Sequence, residues 1–199
     1  KLPSGSGYYE FVNLYKKGNP HQGTVTFDDI KPTINGIVNA EGQLFGEIAD
    51  VAFDKEDAAF TFQEVSTGKL LLKEKEAKKA RHFKRSVTGG EQCLEVTQRF
   101  VPTDDEAIYG LGQYQNGIMN YRGKSVLLLQ ANMDIVNPFL ISTNGYGILW
   151  DNYSSTKFED TKEGYSFTSE VGDASDYYFV YGKNMDEVVA GYRELTGDV

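Results

Sequence analysis

A chain of 199 residues with a 40% apolar share is long enough for one or two small domains and a real hydrophobic core. Its 29 acidic against 20 basic side chains leave a net charge of −9, which argues against nucleic-acid and anionic-membrane partners, since both need a basic stripe. One cysteine, Cys93, and two distant histidines, His21 and His82, allow no internal disulfide and give no cluster from which to expect a metal or a cofactor.

Residues 1–44 are the hardest stretch to assign. Residues 1–7 read as a lead, and 8–12, 23–27 and 34–38 as candidate strands. From residue 45 the pattern sharpens, and 45–183 reads as a β-sandwich domain. Residues 48–53 and 59–62 flank a polar turn and form a hairpin. Ser66-Thr67-Gly68 turns the chain into a strand at 69–73. The mixed-charge run 73–85 reads as a solvated strand pair, loop or short helix. Gly89-Gly90 is a turn before an alternating strand at 92–100.

Further strands are expected at 126–130, 139–142, 146–151 and 177–181, with Asn144-Gly145 as a hairpin turn. Aromatics such as Tyr109, Tyr114, Tyr121, Phe139, Tyr146, Trp150, Tyr153 and Phe158 crowd this half, where they either fill a sandwich core or offer flat faces to sugar rings. The period then changes. Asn184 and Glu187 make a capping box, Val188, Val189, Tyr192 and Leu195 fall on one helical stripe, and Gly197 follows as a terminator. Residues 184–199 therefore form a terminal helix, and no run in the chain approaches the roughly 20 apolar residues of a membrane span.

Chemistry is sparse. Asp104-Asp105-Glu106 reads as a solvated turn after Pro102, and Asp173 and Asp176 as turn residues before a strand. Cys93 reads as a small core or surface side chain, with neither histidine placed beside it. Gly110 and Gly112 lack the spacing of a dinucleotide fingerprint and point to a sharp turn. The sequon at Asn152-Tyr153-Ser154 is too common by chance to carry an argument.

Several stretches, in order, resemble glycoside hydrolase family 31. Glu106-Ala107-Ile108-Tyr109-Gly110-Leu111-Gly112-Gln113 resembles its signature strand and turn, and Asn120-Tyr121-Arg122-Gly123 its N-x-R-G region. Asn137-Pro138-Phe139-Leu140-Ile141-Ser142 with Gly145-Tyr146-Gly147-Ile148-Leu149-Trp150-Asp151-Asn152 resembles its central hairpin. Asp176-Tyr177-Tyr178-Phe179-Val180-Tyr181-Gly182 and Tyr192-Arg193-Glu194-Leu195-Thr196-Gly197 resemble the segments that close its N-terminal domain. The wording at Gly112-Gln113-Tyr114-Gln115 resembles the bacterial α-xylosidase-like members.

The resemblance implies an all-β fold, a β-sandwich of galactose-mutarotase-like type with a short C-terminal α-helix. It implies a non-catalytic domain of a retaining α-glycosidase that removes terminal α-glucosyl or α-xylosyl residues. Both catalytic aspartates of the family lie in a (β/α)8 barrel, expected beyond Val199, so no catalytic residue is assigned to this chain. The partners implied are that barrel and an oligosaccharide. The loop lent to the pocket rim falls at Gln130-Ala131-Asn132-Met133-Asp134, with Asn132 and Asp134 as the residues to meet a sugar hydroxyl. A periplasmic or extracellular bacterial location is favoured over a cytoplasmic one. Two rivals remain. An autonomous carbohydrate-binding module would use exposed aromatics such as Trp150 or Tyr153. An enzyme on the sandwich itself would need a histidine and a carboxylate in one cleft, and His21 and His82 lie outside the family-like stretches.

Overall fold

Aromatic residues alternate with polar ones along many of these strands, and a period of two turns one set of side chains inward. A computed structural model describes residues 57, 59–64, 66–77 and 79–197 in full, and Gly7–Tyr15, Ile30–Gly36 and Ala49–Asp54 by their backbone. The strand candidate at 23–27 and His21 lie outside the described residues.

Among the described residues the strands are β1 Gly7–Tyr15, β2 Ile30–Gly36, β3 Ala49–Asp54, β4 Ala59–Glu64, β5 Leu70–Glu74, β6 Arg81–Thr88 and β7 Glu91–Val101. They continue as β8 Ile108–Gln113, β9 Ser125–Leu128, β10 Ile135–Ser142, β11 Tyr146–Trp150, β12 Thr156–Thr161, β13 Gly164–Ser169 and β14 Ala174–Tyr181, before helix α1 Met185–Thr196. They form two antiparallel sheets. One runs β2-β1-β14-β11-β10-β8, and the other runs β3-β4-β5-β7-β13-β12-β9, with β6 also on β7. The expected sandwich is therefore present. The N-terminal strand β1 belongs to it, paired with β14 from Gly7 opposite Tyr181 to Leu14 opposite Ala174.

The core lies between the sheets. Tyr146, Ile148 and Trp150 of β11 and Tyr177, Phe179 and Tyr181 of β14 face Phe60, Phe62, Phe100, Phe158, Tyr165 and Phe167, and all are buried. Phe62 stacks on Phe179 at 4.2 Å and Trp150 on Phe167 at 5.5 Å, both between sheets. Each such ring contributes roughly 2–3 kcal/mol through the area it removes from water. Polar atoms of the core rings find partners across it: Trp150 Nε1 donates to Ser169 Oγ at 2.9 Å, and Tyr177 OH to Glu74 Oε1 at 2.9 Å.

Helix α1 lies on the outer face of the first sheet. Val188 packs with Phe139 and Val180, and Tyr192 stacks on Phe139 at 4.2 Å. Val189, expected on the same stripe, is exposed instead. Asn184 Oδ1 accepts the Glu187 N–H at 3.0 Å, as a cap does, but the Glu187 carboxylate takes the Lys183 N–H at 2.9 Å rather than that of Asn184.

Several single-residue expectations are corrected. Glu106 is not solvated. It is buried, and its carboxylate accepts from Ser142 Oγ at 2.6 Å, from Tyr146 OH, and from the Thr103 N–H at 2.9 Å. Asp176 sits inside β14 rather than in the turn before it. The charged run 73–85 holds a buried ion pair between Arg81 and Glu74 as well as solvated residues. Gly110 and Gly112 lie within strand β8 rather than at a turn.

Candidate functional site

Asn132 and Asp134 sit together on the turn that carries the chain from β9, at the edge of one sheet, to β10 in the other. The turn is closed in two ways. Ala131 and Asp134 form an isolated bridge, with the Asp134 N–H donating to Ala131 O at 3.2 Å. Around that bridge, Gln130 Nε2 donates to Asp134 O at 2.8 Å, and Gln130 Oε1 accepts the Val136 N–H at 3.1 Å. At the tip Met133 takes φ 68°, a left-handed conformation that costs a side-chain-bearing residue free energy. Asn132 is exposed and Asp134 half-buried.

The foot of the turn is set by β8. Gly110, Leu111 and Gly112 have φ of 97°, 67° and 117°, a run open to glycine and strained for the leucine between. This kink lets Gly112 lie flat on β10, where a Cβ would collide with Ile135 O and come 2.9 Å from Asn137 N. Ile135 then pairs with Gln113 and Val136 with Gly112, before the register shifts toward Leu140. Beside the foot, Tyr114 donates to Leu111 O at 3.0 Å. Burial pushes its hydroxyl up to about 12, helped by Tyr121 and by the nearby negative charge of Asp134.

Leu127, Leu129, Met133 and Ile135 all lie on or beside this turn, and each is 49% to 65% exposed. Exposed apolar residues thus flank, along the chain, Asn132, whose amide donates and accepts hydrogen bonds, and Asp134, whose carboxylate accepts them. That combination suits a ligand with C–H faces and hydroxyls, or another protein surface.

The other candidates are dispersed. His82 is exposed on β6 opposite Thr97, and Cys93 lies opposite Ser86, roughly 13 Å farther along the ribbon. Trp150 is wholly buried and has no face for a sugar, whereas Tyr153 is fully exposed. Among the described residues no three His, Cys, Asp or Glu side chains gather to hold a metal, and no helix is long and apolar enough to cross a membrane.

The resembling motifs turn out to be framework. Asn120 Oδ1 accepts the N–H groups of Ile108 and Arg122, at 3.1 and 3.0 Å. Arg122 donates to Asp160 Oδ2 at 2.8 Å and to the carbonyls of Thr103 and Glu106. These contacts fasten the strap before β8 to β12, and none of them points at the turn.

The sequence model of the glycosyl hydrolase 31 N-terminal galactose mutarotase-like domain matches residues 21–159. The chain belongs to this family. The family 31 domain is 43% identical over 112 residues to an α-xylosidase of Saccharolobus solfataricus, covering 52% of this chain and 15% of that protein. It is 34% identical over 117 residues to a family 31 glucosidase of Pseudescherichia vulneris, covering 59% and 22%. The chain thus spans less than a quarter of the length of either relative. Among solved structures it is similar to a dextranase of Flavobacterium johnsoniae complexed with isomaltotriose, with TM-score 0.66, 25% identity, and coverage of 98% of this chain and 25% of that one. An α-xylosidase of Xanthomonas citri shares the fold at TM-score 0.68 and 22% identity, covering 76% and 32%.

Proposed function

We propose that this family 31 domain acts without catalytic residues of its own, packing on a (β/α)8 barrel and lending the 130–134 turn to the rim of the substrate pocket. The full enzyme would be a retaining α-glycosidase acting on terminal α-xylosyl or α-glucosyl residues; the α-xylosidase among its relatives favours the first. The carrying observation is the turn itself, polar at Asn132 and Asp134 and flanked along the chain by exposed apolar side chains. The exposed Met185 and Val189 on α1 add support for a neighbouring body against the helix. Asn132 and Asp134 are assigned to sugar hydroxyls. In the full-length enzyme, Asn132→Ala and Asp134→Ala should raise KM for an aryl α-xyloside while kcat changes little, as expected for groups that bind ground and transition states alike. Unchanged KM in both variants would sink the rim assignment.

An autonomous carbohydrate-binding module is a second reading, favoured by the full exposure of Tyr153. It requires saturable sugar binding by this chain alone, lost in Tyr153→Ala.

A further inference from the structure

Gln130 makes two of the bonds that close the turn. Its side-chain amide spans from Asp134 O, at 2.8 Å, to the Val136 N–H, at 3.1 Å. One planar group thereby ties the entry of the turn to both its exit and the first paired residues of β10. What it ties down is strained: Met133 is held at φ 68° with its side chain exposed, where asparagine or glycine would sit with less cost. Met133 itself does not favour this shape, so contacts elsewhere in the turn must hold it. The Ala131–Asp134 bridge is a single contact at 3.2 Å, and pairing with β8 begins only at Ile135, opposite Gln113.

We propose that Gln130 is a positioning residue, whose amide holds the strained 130–134 turn in the one shape that presents Asn132 and Asp134 to the substrate. This rests on the rim assignment above. Pre-organising a binding loop lowers the ordering cost of each binding event and so acts on affinity. Gln130 touches no substrate in this scheme and takes no part in the chemistry.

The test pairs two preparations. In the 199-residue chain, Gln130→Ala speeds amide exchange at Asp134 and Val136 about fivefold, the size of one ordinary hydrogen bond, while β11 and β14 keep their protection. Met133→Asn in the same background slows it again, because asparagine tolerates the left-handed conformation. In the full-length enzyme, Gln130→Ala raises KM for an aryl α-xyloside about fivefold with kcat within about twofold, and the added Met133→Asn restores part of it. If Asn132→Ala raises KM but Gln130→Ala does not, the positioning role is wrong and the rim assignment stands. If exchange quickens in Gln130→Ala while KM ignores all three substitutions at 130, 132 and 134, the clamp positions nothing for substrate, and both ideas fall together. A general loss of protection with a fall in kcat would mark an ordinary stabilising residue and overturn the proposal.

Discussion

Glu106 holds together atoms from three parts of the chain, because Ser142, Tyr146 and the Thr103 amide all donate to its carboxylate. Replacing it with alanine leaves buried donors without their acceptor and should cost about 2–3 kcal/mol. The urea midpoint should fall with the slope unchanged. Burial, and then the charge of Glu106, holds the Tyr146 hydroxyl well above the usual tyrosine range. Burial does the same to Tyr165, with Tyr146 next, and to Tyr177, with Glu74 next. A folded-state value above the unfolded one near about 10 means the folded chain keeps these protons when the unfolded chain releases them. Stability contributed by the three hydroxyls is therefore complete below about pH 10 and declines as pH rises through the higher folded-state values. The share of tyrosinate absorbance that belongs to these three should rise late and together with unfolding; early, reversible ionisation of all tyrosines in the folded chain would contradict the buried placement. None of this was legible in the sequence. An acidic triplet after a proline has the composition of a solvated turn, and its partners lie 36 and 40 residues away.

Strands with clean alternation were readable one by one: β11 turns Tyr146, Ile148 and Trp150 inward, and β14 turns Tyr177, Phe179 and Tyr181. Strands β12 and β13 went unrecognised. In β12 the inward series is Thr156, Phe158 and Asp160, and an acid in the third place hides the apolar face. Asp160 can sit there because Arg122 and the Gly123 amide pay its desolvation. The helix was legible because capping and period are local signals, and Asn184→Ala should cost about 1 kcal/mol with the loss concentrated in α1 amides. Strand β8 is the instructive failure. Its two glycines suggest a turn, but they serve a strand bent against β10, so a side chain at Gly112 must push Ile135 away. Gly112→Ala is expected to destabilise the chain by about 1–3 kcal/mol and to disturb the amide signals of 134–137 before those of α1. Equal shifts across the chain would speak against that local role.

At the scale of the molecule, which strand lies beside which depends on contacts far apart in sequence. The pairing of β1 with β14 has no local signature, so residues 1–44 gave candidate strands but no place for them. The family, by contrast, was readable from ordered motifs, and those motifs prove to be the sandwich's own fastenings at Asn120, Arg122, Trp150 and Tyr177. Family likeness here reports the scaffold. The candidate site is one short turn whose key residue for shape, Gln130, carries no signal until its two bonds are seen.

In the role proposed for it, the sandwich presents a rim and leaves the chemistry to another domain. That role is tested most directly by NMR of the labelled 199-residue chain with aryl α-xyloside and α-glucoside, following amide shifts and sugar anomers in the same sample. No hydrolysis, no faster anomer exchange and no saturable shifts are expected at millimolar sugar. Hydrolysis or accelerated anomer exchange would place chemistry on the sandwich and contradict that role, and saturable shifts centred on Tyr153 would make the chain a binding module instead.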